Sequence, residues 1–584
     1  GQTDRGEHGV EAAGVGEEGV EQVAGDHLGQ DPGGDHDRGD REGDHAVRAL
    51  HQQGQAHAEQ VLAQHRGDQR EHQREDDRVP EVAVGEGAQG AHLIDDLRRQ
   101  PRRVDVDEAT ADDAKRAVTS AKTFFNTSDW PHKTYEERCA LLDRMADTLQ
   151  QHKAELARIE TIDTGKTLGE SEIDIDDVTQ VFRFYAKEAI KLAQDKQVTG
   201  PLIPESVKSR IVHEPVGVCV LITPWNYPIL QLCWKLAPAL ATGNVVIIKP
   251  SEVTPLSSVY LVKLLLEAGF PPRSVQILTA SGASVGPVLT ESVDVDLVSF
   301  TGGLSTGRSI IRSCAETVKR CTVELGGKNP NVVFADCDLD WAIDNVLTAV
   351  FVHSGQVCSA GARLIVEESI ADKLVDGVVK RAQNIVMGNG LDASSETGPL
   401  VSAEHLAKVE SYVQLAREEG AVIRCGGRRP DPKTFPHLAK GYFFLPTVID
   451  KCNRTMRIVQ EESFGPILTV ERFADGDERT AIMLANDTKY GLAGGVQSKD
   501  QARAERVARR LRHGTVWTNT YGVYTAQSEW GGYGMSGNGR ELGSKGLDEY
   551  VEVKHIWSET KPAKMNWFKG SEPNESEPQN SSAR

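Results

Sequence analysis

Short, almost unbroken apolar runs that alternate with helical stretches constrain this chain more than any other feature. Val216-Gly-Val-Cys-Val-Leu-Ile222 and Asn244-Val-Val-Ile-Ile-Lys249 carry too few polar groups to face water on either side. Each is therefore expected to be a strand covered on both faces. Thr254-Pro255 marks a helix start after the second run, and Gly269 and Pro271 mark its stop. Val275-Gln-Ile-Leu-Thr279, Leu297-Val-Ser-Phe300 and Thr322-Val-Glu324 extend the strand series. Upstream, Thr110-Ala-Asp-Asp113 supplies a cap before Ala114, Val118 and Ala121, which share one helical face. Further helices are expected over Glu136 to Leu149 and from Asp174 to about Leu192.

A second alternating series starts at Asn331-Val-Val-Phe334. It continues through a helix from Asp340 to Val350, Arg363-Leu-Ile-Val366, and helices over Ile370 to Ile385 and Ala403 to Glu419. Strands that alternate with helices imply parallel βαβ units with ligands at the carboxyl ends of the strands. The expected class is α/β: two open-sheet domains side by side, with the active site in the crevice between them. The boundaries expected are 104–325 for the first domain, 326–516 for the second and 517–557 for a returning segment, followed by a polar tail over 558–584.

Residues 1–103 read differently. They hold nine of the seventeen histidines and no Phe, Tyr or Trp, so they offer too little apolar surface to repay backbone ordering. Disorder is expected there, and the abrupt change near Val104 suggests a misassigned exon or reading frame. The histidines from His8 to His65 lie six to nineteen residues apart, which matches no closed zinc spacing, so no metal site is expected. Over the whole chain a formal charge of −20 argues against non-specific affinity for nucleic acid or an anionic membrane. No run of 18 apolar residues and no signal-peptide pattern occurs. The nine cysteines form no C-x-x-C pair, which favours a reducing, cytoplasmic setting, an organelle remaining open.

The chemistry lies in an ordered set of motifs: Thr223-Pro-Trp-Asn-Tyr-Pro228, Lys249-Pro-Ser-Glu252, Phe300-Thr-Gly-Gly303, Val323-Glu-Leu-Gly-Gly-Lys328, Gly355-Gln-Val-Cys358, Glu462-Ser-Phe-Gly-Pro466 and Gly532-Tyr-Gly-Met-Ser-Gly537. In this order and at these intervals they make the chain resemble the aldehyde dehydrogenase superfamily over about 450 residues. Most of the cysteines suit the role of small buried hydrophobes. Cys358 differs, because Gly355 and Gln356 give it a polar, flexible approach.

The resemblance implies that Cys358 attacks the aldehyde carbon, that the side chain of Asn226 and the main-chain N–H of Cys358 hold the oxyanion, and that Glu324 is the general base for thioester hydrolysis. It further implies an NAD site from Ile222, Thr223, Pro224, Trp225, Lys249, Ser251, Glu252, Gly282, Gly286, Phe300, Thr301, Gly302, Gly303, Thr306, Leu325, Gly326, Glu462 and Phe464. Thr301-Gly-Gly303 ends a strand and precedes a helix whose free N–H groups suit pyrophosphate. A carboxylate at Glu252 accepts hydrogen bonds from ribose hydroxyls and repels a 2'-phosphate, which favours NAD over NADP.

Tyr227, Trp234 and Trp530 match aromatic positions of the betaine aldehyde and amino-aldehyde dehydrogenases. Ring faces suit a quaternary ammonium, although Val352 leaves one expected ring missing. The alternatives left open are a broad-specificity aldehyde dehydrogenase, a CoA-acylating or phosphorylating enzyme, a proline-pathway semialdehyde dehydrogenase, and a silent protein of the same fold. The resemblance also implies a homodimer or homotetramer, built through a hairpin over Gln197 to Ile211 and a late strand over Tyr550 to Ile556.

Overall fold

The computed structural model describes residues 106–565 together with 567 and 568. The readings made above for 1–103 and for most of the polar tail lie outside the described residues.

A hairpin of β1 (Lys196–Gln197) and β2 (Val207–Pro215) leads into β3 (Val218–Ile222), β4 (Val245–Lys249), β5 (Val275–Ile277), β6 (Leu297–Gly302) and β7 (Arg320–Leu325). The second series is β8 (Pro330–Val333), β9 (Arg363–Glu367), β10 (Val422–Cys425), β11 (Thr447–Asp450), β12 (Ile467–Phe473), β13 (Ala493–Gln497) and β14 (Thr515–Thr518). The late chain adds β15 (Gly537–Asn538) and β16 (Val551–Glu559). They assemble into two large open sheets, ordered β15-β7-β6-β3-β4-β5 and β10-β11-β12-β9-β8-β13-β14, and a small sheet β1-β2-β16. Only β15 and β10 run antiparallel to their neighbours in the large sheets. Both large sheets carry helices, so the class expected from the apolar runs is the one observed.

Every residue of β3 and β4 is buried, as two-sided coverage requires. Beside them the helix Pro228–Ala241 is buried along its whole length, with Pro228 in the first turn, where a missing N–H costs nothing. In the first sheet β3 lies between β4 and β6. The chain moves outward in one direction through β4 and β5 and then crosses back to β6 and β7, leaving a crevice at the carboxyl end of β3.

Several local readings shift. The helix expected from Asp174 begins at Leu168, because Thr167 and Glu170 form a capping box; it ends at Glu188 and passes into a 3-10 turn over Ala189–Leu192. The helix Tyr135–Gln151 has a similar box from Thr134 and Glu137, and Thr110 with Asp113 caps Ala111–Thr127. The helix Lys153–Thr164 was not anticipated; Gly165 ends it at φ 81. Strand β3 starts at Val218 rather than Val216, since Gly217 adopts φ 137 and packs against Asp296, leaving no room for a side chain. Strand β5 stops at Ile277, two residues short of the expected Thr279.

Strand β16 pairs antiparallel with β2 from Val551↔Pro215 to Glu559↔Val207 and stands at the edge of its sheet. Val551 is buried, whereas Val553 and Trp557 are 61% and 52% exposed. No helix among the described residues is long and apolar enough to cross a membrane.

Candidate active site

Cys358 lies between the helix Leu339–Phe351 and β9, at the amino end of that strand. The approach to it is polar, as expected, and hydrogen bonds tie it down on several sides. His353, Ser354 and Gly355 take successive left-handed conformations with φ 50, 54 and 71, each costing a non-glycine residue about 1–2 kcal/mol. The turn is held from several sides. Ser354 Oγ donates to Gly398 O at 2.6 Å, Gln356 Nε2 donates to His353 O at 3.1 Å, and Gln356 Oε1 accepts from Val401 N at 2.9 Å. Asn329 Nδ2 donates to Cys358 O at 2.9 Å, and the Tyr521 hydroxyl donates to Ser359 O at 3.0 Å. Gly355 abuts the carbonyl of Gly465 so closely that no Cβ fits. Glycine is thus required here by contact as well as by φ.

Asn226, just past the carboxyl end of β3, is buried, and its Nδ2 donates to Gln356 O at 2.9 Å. An amide carries two N–H bonds, so one remains for another acceptor. Glu324 is the penultimate residue of β7 and pairs with Thr301 of β6. Both its carboxylate oxygens are buried without a hydrogen-bond partner. Burial, then the charge of Glu541, push its carboxyl well above the usual range, against the opposing pull of Lys235 and Arg540.

These residues meet around a cavity of about 170 Å³. Of the sequence candidates, Pro224, Trp225, Asn226, Thr301, Gly302, Gly303, Glu324, Leu325, Gly326, Cys358, Glu462 and Phe464 line it. Gly327 N donates to Glu462 Oε1 at 3.1 Å, and a Cβ on Gly326 would collide with that carboxylate. Burial raises Glu462 to about 7, opposed by Lys408, by the Gly327 N–H and by Lys328. Phe464 has φ 57, and His405 Nε2 donates to its carbonyl at 2.7 Å. Burial lowers His405 to about 4, so at neutral pH the ring is an uncharged donor packed on Trp225 and Phe464. His405 and Lys408 also line the cavity. Sequence reading missed both, because they lie on the helix Ala403–Glu418, outside every motif.

The remaining cofactor candidates do not line this cavity but stand along the same edge of the first sheet. Ile222 and Lys249 end β3 and β4, Thr223 follows β3, Phe300 lies two residues before the end of β6, and Ser251 and Glu252 follow β4. Lys249 Nζ meets Glu252 Oε2 at 3.0 Å. Desolvation opposes ionisation of Glu252, yet its own main chain, Lys249 and the Gly282 N–H hold its carboxyl below the usual range. Gly282 and Gly286 lie on the helix Gly282–Glu291, capped by Ser281. Thr306 is in the first turn of Leu304–Ala315, and Gly303 occupies that helix's N-cap.

Cys358 and Gln231 also line a second cavity, of about 390 Å³. Tyr227, Trp234 and Trp530 all face it. Val352 lines it without a ring, as the sequence implied, but Tyr524 adds one: it stands edge-on to Trp234 at 5.3 Å and to Trp530 at 5.9 Å. Tyr521 lines the cavity too, and neither tyrosine lies in a motif. The Tyr524 hydroxyl donates to Asp177 Oδ2 at 2.9 Å, and Glu170 and Asp174 complete an acidic side. Lys166, fully buried, pairs with Asp174 at 2.6 Å and Glu160 at 3.3 Å. Its ammonium lies 4.2 Å from the Tyr227 ring centroid, so one face of that ring is already occupied. Among the described residues no group of three or more His, Cys, Asp or Glu could hold a metal ion.

A buried ion pair of Lys235 with Glu541 stands beside Glu324, and Lys235 Nζ donates to Thr301 Oγ1 at 2.6 Å. It too was missed from sequence, since its members are far apart in the chain. The Cys358 thiol is half-buried, and desolvation, then Glu462 and Glu324, push it up to about 12. Because the thiolate is the reacting form, alkylation of Cys358 by iodoacetamide in cofactor-free protein is expected to climb about tenfold per unit between about pH 7 and pH 10. A flat profile would contradict this environment.

The family model described as "Aldehyde dehydrogenase family" matches residues 98–556, and the chain belongs to that family. Its relatives narrow the field. Betaine aldehyde dehydrogenase of Bacillus subtilis (strain 168) is 51% identical over 463 residues, 79% of this chain and 93% of the relative. Aminoaldehyde dehydrogenase 1, peroxisomal, of Pisum sativum is 42% identical over 467 residues, 80% of this chain and 92% of the relative. A crystal structure of betaine aldehyde dehydrogenase from Staphylococcus aureus in complex with NAD+ superposes with a TM-score of 0.77 at 48% identity, covering 80% of this chain and 90% of that one.

Proposed function

We propose that this protein oxidises betaine aldehyde, or a related amino aldehyde, to its carboxylic acid with NAD. The observation that carries the reading is that Cys358 lines both cavities, one framed by the candidate dinucleotide residues and the other by aromatic rings and carboxylates. The first fits the cofactor: Gly303 opens onto free space at a helix N-terminus, which suits a phosphate, and Glu252 is an ionised acceptor for ribose hydroxyls. The relatives named for betaine aldehyde and amino aldehydes, and the NAD+ in the Staphylococcus aureus structure, support the same assignment.

In this reading the Cys358 thiol gives its proton to solvent water, and the sulfur bonds to the aldehyde carbon. The free N–H of Asn226 and the main-chain N–H of Cys358 hold the negative oxygen. When bound, NAD accepts two electrons from that carbon as hydride, and a thioester on Cys358 remains. Glu324, once ionised, takes a proton from water that attacks the thioester, and the Cys358 sulfur departs with the acid released. Asn226→Ala should lower kcat by about 10²–10³-fold with little change in NAD affinity, read by steady-state NADH formation and NAD titration. An unchanged kcat would remove Asn226 from the mechanism.

The substrate assignment is tested by betaine aldehyde against its neutral isostere 3,3-dimethylbutanal. Ring faces and an acidic wall favour the cation, so kcat/KM should be higher for betaine aldehyde, and Trp234→Leu or Trp530→Leu should raise its KM by about 3- to 30-fold while sparing the isostere. Equal kcat/KM for the two aldehydes would defeat the assignment. We also propose a homodimer or homotetramer that covers the exposed Val553 and Trp557 of edge strand β16, which sedimentation can check. A reducing, cytoplasmic setting suits the nine free thiols.

A further inference from the structure

His353 is 1% exposed and stands five residues before the candidate nucleophile, at the first of the left-handed positions in the turn. A buried imidazole in a strained conformation is a poor choice for packing alone, and such conformations persist where the surroundings over-determine them, often at active sites. Its ring meets Tyr227 edge-on at 5.3 Å and 69°. It also lies beside the Asn226 main chain, although neither ring nitrogen reaches full hydrogen-bond geometry. The other end of the same residue joins the nucleophile's loop: the His353 carbonyl accepts from Gln356 Nε2, and the Gln356 carbonyl accepts from Asn226 Nδ2. One residue thus touches both halves of the oxyanion site, Asn226 through its ring and the Cys358 loop through its main chain.

We infer that His353 is a positioning residue that sets the Asn226 amide relative to Cys358, its ring wedged between Tyr227 and the Asn226 main chain. The inference rests on Cys358 and Asn226 having the roles proposed above. Burial, with the nearby Lys166 ammonium, holds the imidazole uncharged, so it works as a fixed dipole and wedge and carries no proton.

The full-length protein with His353→Gly keeps a residue at ease at φ 50 and loses the ring. We expect kcat with betaine aldehyde to fall at least about tenfold, as for loss of oxyanion support. The KM for NAD and the rate of Cys358 alkylation by iodoacetamide, which builds no oxyanion, should stay within about twofold. Asparagine also tolerates the left-handed region, so His353→Asn, or His353→Gln with its longer reach, should restore kcat to within about threefold of the parent. A His353→Gly kcat within about twofold of the parent would overturn the inference. Alkylation that falls in step with kcat would also overturn it, as would failure of both amide variants to recover activity. Cys358→Ala is run alongside. If that variant is inactive and His353→Gly is not, only the role of His353 fails; if Cys358→Ala stays active, the underlying mechanism fails.

Discussion

Cys358→Ala is expected to abolish aldehyde-dependent NADH formation, by on the order of 10⁴-fold or more, because in the proposed mechanism Cys358 carries the acyl intermediate. The thiol is half-buried, and the loop is tied through main-chain atoms, Cys358 O to Asn329 and Ser359 O to Tyr521. The variant should therefore melt close to the parent and still bind NAD. Mass spectrometry after mixing with aldehyde and NAD should find no acylated chain. Sustained turnover would mean that another residue is the nucleophile, and none of the other eight cysteines lines either cavity.

Glu324→Gln should produce the second large effect, and of a different kind. Thiol attack and oxidation need no base at Glu324, so the variant should release a burst of NADH close to one equivalent per active site. Turnover should then fall by about 10²–10⁴-fold, with a thioester accumulating on Cys358. In the parent, hydrolysis should rise with pH as Glu324 ionises through its raised pKa. The stability effect has a definite sign. A carboxyl whose folded pKa lies above its unfolded value binds its proton more tightly when folded, so its contribution is present below the unfolded value and is lost as pH rises through the folded one. Glu324→Gln should remove that loss and gain on the parent in alkaline melts. A variant with no burst, or with full steady-state turnover, would dismiss Glu324 as the base.

The two effects separate because each side chain serves a different step, although the groups come from different sheets of the fold. Cys358 rides on a strained turn at the amino end of β9, whereas Glu324 and Asn226 project from the carboxyl side of the first sheet. The bond from Asn226 to Gln356 joins the turn to the first sheet's side, and Gly355 against Gly465 seats the turn on the loop before β12. Bulk at Gly355 would push the turn off that neighbour, so the loop's geometry depends on a missing side chain as much as on bonds made.

Much of this is legible in the sequence itself, and for a physical reason. Strands covered on both faces must be largely apolar, so the runs Val216–Ile222 and Asn244–Lys249 announce β3 and β4, and the Thr110-x-x-Asp113 box marks a helix start, whereas the equally local Thr167-x-x-Glu170 box was missed. The short motifs around Asn226, Glu324 and Cys358 could be read because backbone turns and reactive groups there leave few residue choices. Tertiary structure alone decided what depends on groups far apart in the chain. Tyr524 reaches Trp234, Lys235 reaches Glu541, and His405 reaches Phe464 only after folding. Whether Glu324 holds its proton, and whether the Gly355–Cys358 approach is loose or rigid, follow from desolvation and from partners that no local pattern encodes.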